Sequence, residues 1–177
     1  VSDLFIKSGQ IVSTHGRHPD SHQYFDAALD DVADGLPVVV LMNAGSASAS
    51  EIVAAAIQDT GRGVVVGSAS YGKGTVQTVL RLPNQGELTL TWARFHAPSG
   101  YALSKRGVIP DVCTSRSRQD AAAILTELQH GTLPARRRPD RGMLRAGTDG
   151  EIAALRAQCP ARQAEGPVDT TIALRLL

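Results

Sequence analysis

The chain has 177 residues, of which 42% are hydrophobic, enough for one sizeable core and a small appendage but not for two full domains. Its 18 basic and 17 acidic residues leave a net charge of +1, so nothing in the balance argues for nucleic acid or an anionic membrane as partner. No apolar run approaches the roughly 20 residues that span a bilayer, and residues 1–10 lack the basic start and apolar centre of a signal peptide, so membrane insertion is not expected of these residues.

Asp3, Leu4, Phe5 and Ile6, followed by Lys7, Ser8 and Gly9, look like the last turn of a helix stopped by glycine. Residues 10–14 and 22–27 are short β-prone stretches around a turn of Gly16, Arg17, His18, Pro19 and Asp20, which predicts a hairpin. Pro37 introduces a continuous apolar run, residues 38–42, read as a central strand covered on both faces. A turn of small residues follows (43–50), and then a helix over 51–60 with Ile52, Val53, Ala56 and Ile57 on one face. Val64, Val65 and Val66 form the next buried strand and 67–74 a loop. Residues 75–82 and 87–96 read as two longer strands joined by Pro83, Asn84, Gln85 and Gly86. Beyond Pro110 the composition shifts: a helix is expected over 119–129, a Pro/Arg loop over 133–141 and a short helix over 149–158.

The chemistry concentrates between Asn43 and Gln77. A buried strand feeding a helix through a turn of small residues presents one side chain at the helix N-terminus, where unpaired N–H groups favour developing negative charge. Ser48 occupies that place, and the backbone N–H of the adjacent Ala49 is a candidate oxyanion donor. Lys73, between Gly72 and Gly74, is the candidate general base, since a partly desolvated lysine can give up its proton near neutral pH. Gln77 begins the following strand and is placed to orient the lysine amine. Each residue also has a plain reading. Ser48 with Glu51 fits a capping box, Lys73 a solvated loop lysine and Gln77 an exposed strand residue.

The stretch from Asn43 to Gln77 resembles the signature of the carboxyl-terminal processing peptidases, Ser/Lys serine peptidases of family S41. The likeness runs in order through Asn43 to Glu51, Gln58 and Asp59, Val66 and Gly67, Tyr71 to Gln77, the Pro98, Ser99, Gly100 segment, and Gly107, Val108, Ile109, Pro110 and Asp111. The resemblance implies Ser48 as nucleophile, Lys73 as general base and Gln77 as the residue that orients it, with no metal or cofactor. It implies a crotonase/ClpP-like α/β core of stacked sheets and flanking helices, without its first strands. It covers about residues 1–112, which form the expected catalytic core; 113–177 are then a helical and loop tail packed on it. In this family a second oxyanion N–H comes from a glycine in an Asn-Pro-Gly-Gly-like segment, and a PDZ domain captures substrate carboxyl termini; both would lie upstream of these residues. The expected partners are a protein or peptide substrate and such an upstream segment or PDZ domain. The family's usual setting is the bacterial cell envelope or periplasm.

Cys113 and Cys159, the two cysteines, fit no metal spacing. They either pair, which would stabilise by about 4 kcal/mol and require an oxidising compartment, or stay as two buried thiols. Two other functions stand beside the serine endopeptidase that cleaves near a carboxyl terminus. One is a non-catalytic peptide-binding or scaffold domain on the same fold. The other is an esterase or amidase whose serine uses His15, His18, His22, His96 or His130 as base, though no acid partner accompanies any of these by motif.

Overall fold

The computed structural model describes residues 1–28, 30–116, 118–130, 139–163 and 166–177. Two sheets are stacked on either side of one helix. β1 (Gln10–Gly16) and β2 (Gln23–Asp26) form the expected hairpin, with a short 3₁₀ turn, Pro19–Ser21, inside its connection. β3 (Val39–Met42) leads through the small-residue turn into α1 (Ala49–Asp59), followed by β4 (Val64–Gly67). β5 (Thr75–Arg81) and β6 (Glu87–His96) make the second hairpin. β7 (Val112–Cys113), α2 (Arg118–Gln129), α3 (Arg141–Ala146), α4 (Asp149–Ala157) and α5 (Pro167–Leu176) complete the chain.

The hairpins combine into a four-stranded antiparallel sheet in the order β2-β1-β6-β5, while β3, β4 and β7 form a parallel sheet. α1 lies between the two. Ala56 and Ile57 pack toward Ile11 and Val12 of β1, and Ala54 and Ala55 pack with Met42 and Val65 of the parallel sheet. Three consecutive alanines, all almost fully buried, let the helix approach both layers closely. Along β4 the side chains alternate with the period of a strand: Val65 faces α1, whereas Val64 and Val66 join Val112 and Ile172 of α5 in a separate cluster.

Several expectations change here. β3 is an edge strand, only partly buried, because β7 pairs on the far side of β4 and makes β4 the central one. β7 is two residues long, too short to leave a periodic trace. Near the N-terminus, residues 2–4 form a 3₁₀ turn, with Gly9 at φ 92°. The end of the expected Pro/Arg loop is helical: Asp140 caps α3, which opens at Arg141. Most of that loop, 131–138 with Arg136, Arg137 and Arg138, lies outside the described residues. α5 had no counterpart among the sequence expectations. Cys113 and Cys159 are joined, with a sulfur–sulfur distance of 2.10 Å. No helix among the described residues is long and apolar enough to cross a membrane.

Candidate active site

The turn between β3 and α1 is built from its own small side chains. Asn43 Oδ1 accepts from Gly45 N–H at 2.8 Å, Ser46 Oγ accepts from Asn43 N–H at 3.2 Å, and Ser50 Oγ accepts from Ala47 N–H at 3.0 Å. Side chains this short can serve nearby amides without lengthening the loop. Ser48 ends the turn as the N-cap of α1, at φ 56° and ψ −117°. That is a costly conformation for a residue with a Cβ, unlike the extended backbone of an ordinary N-cap. Only the backbone half of the capping box forms: Ser48 N–H donates to Glu51 Oε2 at 2.9 Å, and the serine side chain makes no capping bond. The capping reading of Ser48 therefore accounts for Glu51 and leaves the serine hydroxyl without a capping role. Ala49 is the first residue of α1 and is exposed.

Glu51, which the sequence presents only as a capping partner of Ser48, has a larger part in the structure. It is 0% exposed and sits on the first turn of α1, where a carboxylate suits the dipole. Its Oε2 accepts from Ser48 N–H and from Lys73 N–H at 2.8 Å. Its Oε1 accepts from Gly72 N–H at 2.6 Å and Ser70 Oγ at 2.5 Å. A carboxylate has about four lone-pair directions, and all are used here. One oxygen therefore ties the backbone of Ser48 directly to that of Lys73. Gly72 reaches the other oxygen at φ 92°, a region that favours a residue without a Cβ. The signal in the sequence was an acidic residue on the helix that packs between two sheets, and it shared its spelling with a cap.

Lys73 is exposed in this structure, not partly desolvated, since the glycines on either side carry no side chain to cover it. Gln77 lies in β5 opposite Thr91, just after an irregularity in the β5–β6 register, and is also exposed. The histidines gather elsewhere. His15 stacks against His22 at 5.2 Å between ring centroids and contacts His96 at 4.5 Å, while His18 lies against Trp92. Burial pushes the pKa of His96 down, and the neighbouring His15 adds to this. His130 is exposed just beyond α2. The rings of His15, His18, His22 and His96 find their aromatic contacts on the antiparallel sheet and its hairpin connection, which gives the Ser/His reading no support.

The other matched segments converge behind α1. Asp59 Oδ2 accepts from Ser99 Oγ at 2.6 Å and Ser99 N–H at 3.0 Å, and its Oδ1 pairs with Arg141 at 2.7 Å. Gln58 donates to the carbonyl of Ile109 at 2.9 Å and accepts from Arg141 at 2.7 Å. Asp111 Oδ2 accepts from Val65 N–H at 2.8 Å. These buried polar groups fix where the helix carrying Ser48 sits against β4.

Comparison with known proteins decides the family. The model of peptidase family S41 matches residues 1–114. The chain belongs to that family. A carboxy-terminal-processing protease of Bartonella bacilliformis is 48% identical over 112 residues, covering 63% of this chain and 26% of its own length. A chloroplastic carboxyl-terminal-processing peptidase of Arabidopsis thaliana is 39% identical over 99 residues, covering 55% of this chain and 19% of its own. Among solved structures, a photosystem II D1 C-terminal processing protease superposes with a TM-score of 0.58 at 34% identity, over 63% of this chain and 28% of that one. The mixed α/β fold expected from the sequence is thus the fold of a C-terminal processing protease. The chain spans from about a fifth to just over a quarter of the length of these relatives.

Proposed function

We propose that this chain carries the catalytic site of a serine endopeptidase that cleaves proteins or peptides near the carboxyl terminus. Ser48 Oγ attacks the scissile carbonyl while the Lys73 amine, as general base, takes its proton and later delivers it to the leaving amine; water then hydrolyses the acyl-enzyme. Gln77 orients Lys73, and the Ala49 N–H at the start of α1 donates to the oxyanion. The observation that carries this reading is Glu51 Oε2, which accepts from the backbone N–H groups of both Ser48 and Lys73 and so holds nucleophile and base segments against one point. The strained backbone of Ser48 supports it, because such conformations cluster where a side chain must be presented for chemistry.

Substrate capture by a PDZ domain or another upstream segment belongs to the same proposal, as does placement in the bacterial cell envelope or periplasm, where the Cys113–Cys159 bond would persist. A second reading, a non-catalytic peptide-binding or scaffold domain, is favoured by the exposure of both Lys73 and Gln77. Hydrolysis of an unstructured protein by the native chain and by Ser48→Ala and Lys73→Ala variants separates the two. Loss of activity in each variant, by about a thousandfold or more, supports the dyad; full activity of Lys73→Ala, or none in the native protein, overturns it.

A further inference from the structure

The matched region ends at residue 114, yet the segment beyond it reaches back to both loops of the site. Ala44 N–H, in the turn before Ser48, donates to the carbonyl of Arg162 at 2.9 Å, and Arg162 N–H donates to Ser68 Oγ at 3.1 Å. On α4 the guanidinium of Arg156 donates through Nη2 to the carbonyl of Ser70 at 2.6 Å and through Nη1 to the carbonyl of Arg106. Ser70 is the next link: its N–H donates to the Val108 carbonyl at 3.0 Å, its Oγ accepts from Val108 N–H at 2.7 Å, and the same Oγ donates to Glu51. Two residues after Ser70 begin the N–H groups of Gly72 and Lys73 that bind the same carboxylate.

The space where these groups meet admits no extra atom. A Cβ at Gly107 would lie 2.6 Å from Ser70 Oγ, 2.7 Å from Arg156 Nη1 and 3.1 Å from Glu51 Oε1, and the glycine stands at φ 62°. Arg156 is thus one wall of the junction that Glu51 fills, and the Glu51 charge offsets part of the cost of burying the guanidinium. Three residues later Cys159 is bonded to Cys113, which immediately follows Val112 and pairs with Gly67 at the end of β4. That bond fixes the chain just after α4 to β7, which pairs with β4, the strand from which the loop carrying Lys73 departs.

We propose that Arg156 is a positioning residue of the peptidase site, aligning Ser48 and Lys73 through Ser70 and Glu51, and that the Cys113–Cys159 bond holds it in place. The proposal rests on the peptidase reading above. It makes the C-terminal segment part of the active site's support and not merely a cover for the parallel sheet. Guanidinium chemistry suits the task, because its planar fork serves two carbonyls from different segments at once.

The test is steady-state hydrolysis by the full chain and its Arg156→Ala and Arg156→Lys variants, with kcat expressed per site titrated at Ser48 by a phosphonate probe. Counting only titratable sites removes any contribution from unfolded molecules. Arg156→Ala is expected to lower kcat about 10- to 100-fold with KM within about twofold, and Arg156→Lys to recover part of the loss through one of the two carbonyls. An unchanged kcat per titrated site, or Lys no better than Ala, overturns the assignment. Dithiothreitol provides a second arm that needs no variant: it gives up two electrons and two protons, closes to its own cyclic disulfide, and leaves Cys113 and Cys159 as thiols. A fall in kcat reversed by reoxidation supports the holding role of the bond, and indifference to reduction overturns it. If the native chain is not labelled at Ser48, it is the peptidase reading that has failed, a result distinct from normal labelling with Arg156-independent turnover.

Discussion

The β5–β6 hairpin and the corner around Glu51 are built on opposite plans. The hairpin is regular over its outer part: its strands are seven and ten residues long, and beyond the one irregularity between Val76 and Gln77 they pair residue for residue, with Leu80 opposite Leu88 and Thr78 opposite Leu90. Yet Leu80, Leu88, Leu90 and Trp92 all remain exposed, Leu88 at 42%. The corner has only the first turn of α1 as regular structure, and its loops are held by one carboxylate that takes up N–H or O–H groups from Ser48, Ser70, Gly72 and Lys73. Regular pairing in the hairpin satisfies the backbone but buries little, whereas the irregular corner depends on a single side chain. The two regions should therefore respond very differently to substitution.

The largest effect is expected at Glu51. Glu51→Gln preserves the shape but turns an amide NH₂ toward donors that previously met an oxygen, leaving buried N–H groups unpaired. A loss of about 3 kcal/mol is expected, a large fraction of a typical domain's stability, read as a lower urea midpoint, and peptidase activity should fall with it. A variant as stable as the native chain would mean that the four bonds are not what holds the corner.

Tyr101 sharpens the comparison by asking whether burial or engagement gives a polar group its weight. It is 0% exposed, and its hydroxyl has no hydrogen-bond partner among the described residues, although Arg141 lies 5.6 Å above the ring. Burial, and then the charge of Asp59, push the phenol pKa well above its ordinary range. Tyr101→Phe removes a buried hydroxyl with nothing to bind and keeps the ring, so stability is expected to stay level or rise by about 1 kcal/mol. Thermal unfolding checks this; a loss of more than about 1 kcal/mol would show that the hydroxyl is engaged after all.

The same contrast explains what could be read from the chain. The two hairpins, α1 and α4 follow from period-two and period-3.6 patterning with glycine, proline and asparagine between them, and all appear near the expected places. Ser48, Lys73 and Gln77 were singled out because a strand, a small-residue turn and a helix make a recognisable local context. Glu51 was visible only as a capping residue, since the same spacing serves a cap and a buried anchor alike. Arg156 left no local trace at all: its partner Ser70 stands 86 residues away, and no period connects them. The edge position of β3 was equally hidden, because it depends on where β7 pairs.

The smallest effects belong to the hairpin, and here the comparison can be broken outright. Leu88 lies opposite Leu80 and Leu90 opposite Thr78, so these positions share one face, and each leucine is about two-fifths exposed. Threonine keeps strand propensity while removing apolar surface of which a substantial share is already in contact with water. Leu88→Thr and Leu90→Thr are each expected to change stability by less than about 0.5 kcal/mol, with an unchanged urea m-value. A loss above about 1.5 kcal/mol in either would be the cost of uncovering a buried leucine. It would require that face to be covered in solution, and the hairpin would then belong with the corner as a region whose neighbours, not its regularity, decide its stability.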